Sequence, residues 1–412
     1  MCFAAAKMRR VMAVGTLAGI LVFGLIGCGG TSKKEYEVLG AIAPAVKVTS
    51  LWVAKVGEKR ERQYRQFPVT VEDGKVYVSS VDGRLRVLDQ IGGKLLWRKE
   101  YNVAISTGAS YGDGVLYFGT TDAEVFAVSA DNGELVWRHK VSSEVLANPT
   151  VSGSKVFVKT VDGKLFALNK SDGERVWVES HDVPALSLRG DSSPIVIDDK
   201  VFAGFANGKL MAVEAGTGKK LWETIVAVPS GRTDLQRMID IDGIFQFSDN
   251  VIYVSSYQGR IAAVAAESGR AIWTRDMSSY SGLTLDGSQI YITDADSYVW
   301  CLDKKTGATL WRQDALTGRD VSGPEVMSDA LVVADGAGYV HWLSKEDGAL
   351  IGREQLARVY DQAFVDWGDE ERDLRDLAVT APLNVANNTL FVRDNEGALS
   401  VFKVSHLPVK AN

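Results

Sequence analysis

The chain has 412 residues, with 46 lysines and arginines against 52 acidic residues, and a formal charge of −6. Loss of the first 27 residues, which hold Lys7, Arg9 and Arg10 and no acid, would take the charge from −6 to −9. Phosphate backbones are bound by clustered cations, so an acidic chain without a basic stripe is not a nucleic-acid binder. The length allows two or three ordinary domains or a single closed ring of repeats.

The N-terminus reads as an export signal. Lys7, Arg9 and Arg10 precede an apolar run over residues 11–26, shorter than the roughly 20 residues a membrane span needs. The run ends in Leu25-Ile26-Gly27-Cys28, followed by Gly29, Gly30, Thr31 and Ser32. This is similar to the bacterial lipobox, and it implies that residues 1–27 are removed and that Cys28 is lipidated. A plain secretory signal or an uncleaved anchor is the alternative. With no aspartate after Cys28, the expected destination is the outer membrane. Either Met1 or Met8 would serve as the start, since both leave the cationic segment in place. Residues 28–45 show no firm periodicity and are expected to form a flexible tether. Cys2 leaves with the signal, so Cys301 is the one free thiol expected in the mature chain. It falls in the apolar run Tyr298, Val299, Trp300, Cys301, Leu302 and is expected to be buried and inert.

From residue 46 onward one phrase recurs: a strand, a turn at an Asp-Gly position, a second strand, and a closing tryptophan. The turn position falls at Gly83, Ala123, Gly163, Gly208, Gly259, Ser297, Gly338 and Gly397. The tryptophan falls at Trp97, Trp137, Trp177, Trp222, Trp273 and Trp311, with Gly352 in its place once. A period near 40 residues marks a propeller or solenoid. Each unit contains four runs of alternating polarity separated by Gly, Asp and Asn, the signature of successive hairpins. The fragment around Trp52 reads as the last strand of a unit that lacks a beginning, whereas the unit opened by Gly397 stops before its tryptophan. The predicted fold is therefore all-β: an eight-bladed β-propeller of four-stranded blades over residues 46–412, closed by an N-terminal strand that completes the last blade. Closure of this kind leaves no free sheet edge at the join. The tryptophans are expected to pack blade against blade.

The turn-to-turn spacing is 40, 40, 45, 51, 38, 41 and 59 residues. Long intervals mark inserted loops, where repeat proteins carry binding functions. The first insertion, 181–194, places Leu186 and Leu188 beside Arg189, a combination common at interface centres. The two leucines either face a partner or turn inward to pin the loop. The second, 225–243, contains Asp240 and Asp242, two apart and so on one face of an extended segment. They would bind a basic partner, act as an acid and base, hold a metal, or simply face water. No further oxygen or histidine ligand lies nearby in sequence, so no metal site is expected. The third, 353–377, is mixed in charge and reads as a surface excursion with a short helical turn.

Gly208, Leu210, Ala212, Val213, Glu214, Thr217, Gly218 and Trp222 fall on the pattern G-x-L-x-A-L-D-x-x-T-G-x-x-x-W, with Val and Glu as conservative departures. The unit thus resembles the PQQ-type propeller repeat. Together with the lipobox, the segment from Asp182 to Gly190 and the segment from Arg237 to Asp242, it resembles the BamB family of outer-membrane assembly lipoproteins, over nearly the whole chain. That resemblance implies a non-enzymatic protein anchored at the periplasmic face of the outer membrane. It implies binding to the POTRA region of BamA through Leu186, Leu188, Arg189, Asp240 and Asp242, association with further subunits, and assistance to unfolded outer-membrane clients. The rival reading is a quinoprotein dehydrogenase holding PQQ and calcium. Such enzymes typically use adjacent cysteines and a Glu/Asn/Asp metal set, and this sequence has neither. Its four histidines, His139, His181, His341 and His406, are scattered, and no catalytic triad or phosphate loop stands out. No cofactor and no catalytic residue are expected.

Overall fold

The computed structural model describes residues 36–57, 67–184, 192–229, 232–233, 238–241, 243, 245–357 and 377–407. Among them no α-helix forms, and the strands assemble into eight separate four-stranded antiparallel sheets. Blade 1 shows the pattern: Thr70–Glu72, Lys75–Ser79, Arg84–Asp89 and Leu95–Glu100. The first strands of successive blades touch one another, which places them around the axis, and the fourth strands form the outer rim. Burial follows position. The second strand of most blades reads as one half-buried residue and then four buried ones, because both of its faces pack on neighbouring blades. Residues in the fourth strand are largely exposed.

The eighth blade consists of Asn384–Ala386, Thr389–Arg393, Ala398–His406 and, as its outer strand, Val46–Lys55. Val46 pairs with His406 and Lys55 with Ala398, so the N-terminal strand completes the last blade, as the sequence predicted. It even reproduces a local irregularity. In the seven other blades the register shifts by one residue beside the closing position, as between Val87 and Leu88 opposite Trp97 and Leu95. In the N-terminal strand the same shift falls between Ser50 and Trp52. Such a bulge re-aims a side chain. Here the side chain is the tryptophan.

Each closing tryptophan lies against the following blade. The indole Nε1 of Trp177 donates to the carbonyl of Ala215 at 3.1 Å, and that of Trp137 donates to Lys170 at 2.9 Å. Trp52, Trp97, Trp222, Trp273 and Trp311 make the same bond one blade on. The ring sits over a glycine in the next blade's outer turn, where a methyl group on Gly218 would lie 2.7 Å from Trp177. Gly218 also has φ +75°, so both the backbone conformation and the close approach call for glycine. The eighth joint, between blades 7 and 8, is built differently. Gly352 replaces the tryptophan, Val46 packs over it, and the fully buried Trp342 enters from the third strand of blade 7 to meet Phe402 edge-on at 6.2 Å.

The turn position accepts a left-handed residue in seven of the eight blades, including Ala123 at φ 62° and Ser297 at φ 72°. Blade 5 departs from the sequence reading. There Gln258, at φ 49°, takes the left-handed conformation and Gly259 does not. Cys301 is fully buried and free, and burial pushes its thiol up to about 12.

Part of the expected tether is held on the ring. Arg319 Nη1 donates to the Glu37 carbonyl at 2.7 Å, Arg353 Nη1 donates to the Gly40 carbonyl at 3.0 Å, and Leu39 packs against the core between blades 6 and 7. Behind these contacts Asp335 is fully buried, bonded to Arg319 Nε at 2.7 Å and to His341 Nε2 at 3.1 Å. Burial alone would raise the Asp335 carboxyl, but the bonds from His341 and the Tyr339 amide, with the Arg319 charge, hold it below its usual range. The four histidines look unrelated in sequence, so nothing there marked His341 as part of this buried group.

Candidate partner-binding site

The connections between blades leave from one face of the ring, because each blade starts and ends its up-and-down course on that face. Two of them, 181–194 and 226–245, enter and leave blade 4, whose strands are Ile195–Ile197, Lys200–Gly204, Lys209–Glu214 and Lys220–Ile225. Leu186, Leu188, Arg189 and Asp242 lie outside the described residues, as do Cys28 and residues 358–376 of the third insertion. What the structure describes is the stems on either side of the two loops.

The first loop is clamped at both ends. His181 N donates to the Gly163 carbonyl at 2.9 Å, Asn207 Nδ2 donates to the Asp182 carbonyl at 3.1 Å, and Val183 lies against Gly163. The His181 ring lies tilted against Phe205 with centroids 4.4 Å apart, and its Nδ1 is 3.4 Å from Glu223. Burial lowers the His181 pKa, outweighing the attraction of Glu223, so the ring is neutral near neutral pH. Glu223 in turn is held below its usual range by Lys209, which donates to it at 2.7 Å. At the far end the buried Lys159 donates to Ser192 Oγ at 2.8 Å and to the Gly204 carbonyl at 3.0 Å. Thr150 Oγ1 donates to the Pro194 carbonyl at 2.6 Å.

The second loop is held by its own apolar residues. Ile239 and Ile241 are buried, the latter in the core between blades 4 and 5 with Phe245 and Phe202. Asp240 lies between them at only 1% exposure, in a bridge with Tyr257, whose amide donates to the Asp240 carbonyl at 3.1 Å. A direct contact with a partner needs accessible groups, and the side chain of Asp240 is buried here. Near the start of this loop Ile225 and Val228 are 60% and 64% exposed, an apolar pair beside the insertion.

The two stems meet at Gly204. Lys159 bonds its carbonyl from the blade 3 side, while Ile241 Cγ2 would lie 2.5 Å from a methyl group added there from the blade 5 side. A side chain at 204 would thus separate the second loop from the ring. Neither Lys159 nor Gly204 was marked by the sequence reading, and one signal was present. The second-strand terminus is Ser79, Gly119, Gly204, Ser255, Thr293 or Ala334 in six blades, so a lysine at this buried position breaks the pattern. Among the described residues no group of three or more His, Cys, Asp or Glu side chains is arranged to hold a metal.

The family model for "Outer membrane protein assembly factor BamB" matches residues 81–313. An assembly factor of that name from Alkalilimnicola ehrlichii is 46% identical over 346 residues, covering 84% of this chain and 89% of its own. The chain belongs to the BamB family. A relative from Marinobacter adhaerens is 45% identical over 398 residues, covering 96% of this chain and 97% of its own. The crystal structure of BamB from Moraxella catarrhalis superposes with a TM-score of 0.74 at 26% identity, covering 87% of this chain and all of that one. The eight-bladed, non-enzymatic reading and the PQQ-like repeat stand with this family, and the quinoprotein alternative is not favoured. This is an outer-membrane protein assembly factor of the kind found in Gram-negative bacteria.

Proposed function

We propose that the chain is a lipid-anchored scaffold of the β-barrel assembly machinery that binds the POTRA region of BamA through the two loops flanking blade 4. The carrying observation is that both stems are locked to the ring around Gly204, one by Lys159 and the other by Ile241. Stems held this way present their loops with little further ordering cost on binding, which favours affinity. Leu186, Leu188 and Arg189 would supply the apolar anchors and the guanidinium, and Asp242 the carboxylate. Asp240, buried beside Tyr257, would act on the contact only by positioning Asp242. Anchoring through Cys28 would keep the ring at the periplasmic face of the outer membrane, and unfolded clients would meet it there.

Replacement of Leu186 by Asp, or of Arg189 by Glu, is expected to abolish co-purification with BamA while leaving the free energy of unfolding within about 0.5 kcal/mol of wild type, as for surface substitutions. Retention of BamA by both variants would remove these residues from the site. Intact-mass analysis of the membrane-extracted protein tests the anchor, which should shift the mature N-terminus to Cys28 with added acyl mass.

A further inference from the structure

Residues 36–45 have no regular secondary structure, yet the first of them sit in a seat made by the ring. The Tyr36 hydroxyl donates to Asp320 Oδ2 at 3.0 Å. The Arg319 guanidinium lies 5.2 Å from the Tyr36 ring and 5.8 Å from the Tyr339 ring. Leu39 packs against the core between blades 6 and 7, between the carbonyls that Arg319 and Arg353 take at Glu37 and Gly40. Val38, in the middle of the same segment, is 98% exposed. The seat is itself fixed by bonds within the ring. The Arg319 carbonyl accepts from the Gly336 amide at 2.7 Å, while its side chain bonds the buried Asp335.

The repeat shows that this seat is particular to blade 7. Two residues before the turn position the seven other blades carry a side chain, from Ala206 and Ala295 to Val81, Val161 and Tyr257. Blade 7 alone has glycine there, Gly336. Its φ is not left-handed, so the backbone does not call for glycine. The missing side chain makes room for the tyrosine instead. A methyl group on Gly336 would run into the Tyr36 hydroxyl and lie 3.0 Å from its Cζ. From this seat the segment passes to Ala45, whose amide donates to the Ile351 carbonyl at 2.9 Å, and so to the strand that closes the ring.

We infer that residues 36–40 are a latch that sets the length of chain between the ring and the lipid anchor. The inference rests on the anchor at Cys28 proposed above. With the latch seated, the ring holds the chain from Tyr36 onward. With it open, the first held residue is Ala45. The nine residues from 36 to 44 then join the tether, up to about 30 Å of added reach at full extension. The latch hangs on side chains and single carbonyls, not on a strand ladder, so it opens locally while the blades stay closed. A seated latch restricts how far the ring ranges from the bilayer, and an open one releases it.

The first test applies dilute chymotrypsin to the full-length mature protein and follows cleavage after Tyr36 by mass spectrometry. A seated Tyr36 ring is withheld from the protease, so the rate reports how often the latch is open. Gly336→Val gives blade 7 the residue of blades 1 and 3, and Leu39→Asp leaves every blade untouched. Each should speed cleavage at least about tenfold, the scale of a lost apolar contact. Ala295→Val, at the same place in blade 6, should change the rate less than twofold. An unchanged rate in either latch variant, or equal acceleration in Ala295→Val, would overturn the seat. Neutron reflectometry of the lipidated protein on a supported bilayer then reads the tether. The protein layer should extend further from the bilayer in both latch variants than in wild type, by up to about 30 Å. An unchanged layer despite faster cleavage would overturn the role in tether length and leave the anchor intact. Protein that carries no acyl chain would overturn the anchor, and with it that role, while the chymotrypsin result stands.

Discussion

Replacing Gly218 by alanine tests the joint that recurs around the ring. The residue has φ +75°, and its added methyl would lie 2.7 Å from the Trp177 ring. The left-handed conformation costs a residue with a Cβ about 1–2 kcal/mol. Displacing a packed indole costs about 1–3 kcal/mol, and the Trp177–Ala215 hydrogen bond is worth about 1 kcal/mol if it is lost. The sum is about 2–6 kcal/mol. Gly114 separates the terms, since it has φ +78° but nothing within 4 Å of an added methyl. Gly114→Ala should therefore lose only the backbone term, about 1–2 kcal/mol. Urea unfolding followed by tryptophan fluorescence and far-UV circular dichroism would measure both. In a Trp177→Ala background the clash has no partner, so Gly218→Ala should fall to the cost of Gly114→Ala. If Gly218→Ala is no worse than Gly114→Ala, or if removing Trp177 does not relieve it, the tryptophan is not seated on this glycine in the way described.

Glu325, on the innermost strand of blade 7, is pushed up to about 7 by burial alone. The folded chain then binds a proton through a range where the unfolded chain, near 4.5, does not, so stability should rise as pH falls from about 8 to 5. Glu325→Gln should stabilise the protein at pH 8, by at most about 3 kcal/mol and less with water reaching the side chain, and the gain should vanish near pH 5. A flat pH profile in wild type would contradict this. Lys159→Met should cost about 1–3 kcal/mol by leaving the Gly204 carbonyl and Ser192 unpaired, and should speed hydrogen exchange at 192–196. No change in exchange there would mean that the loop is held elsewhere. Cys301 should resist a thiol reagent in the folded protein and react fully after unfolding, given its burial and raised pKa.

The fold was legible because its determinants are local and repeated. Hairpin turns, alternation and a tryptophan every 40 or so residues each act within a few positions, and a severed copy at each end can only be completed by the other. The joint between blades 7 and 8 was less legible. Gly352 signalled that the tryptophan was missing, but its replacement, Trp342, comes from a neighbouring strand where it reads as one more apolar residue. Residues 36–45 carried no pattern because they are held by backbone carbonyls, which any sequence supplies, and by single side chains, Tyr36 on Asp320 and Leu39 in the core, which make no period.

The same reasoning explains why the candidate site was only half visible. Insertion length pointed to the two loops, and two carboxylates at i and i+2 in an extended segment were expected to share one face and to be open there to a partner, a metal or water. That inference fails at Asp240 because the segment is paired, not free. Tyr257 takes its carbonyl, and Ile239 and Ile241 enter the core on either side, so the strand lies in the wall of the ring instead of standing off it. Period-two alternation tells which residues share a face only when one knows which faces are covered, and the cover here comes from blade 5, 17 residues further along the chain at Tyr257. The residues that fix both loops, Lys159 and Gly204, lie outside either insertion. In a repeat protein an insertion announces itself by length, but its direction is set by departures in the regular blades beside it. Lys159, standing where six blades have Ser, Gly, Thr or Ala, is such a departure.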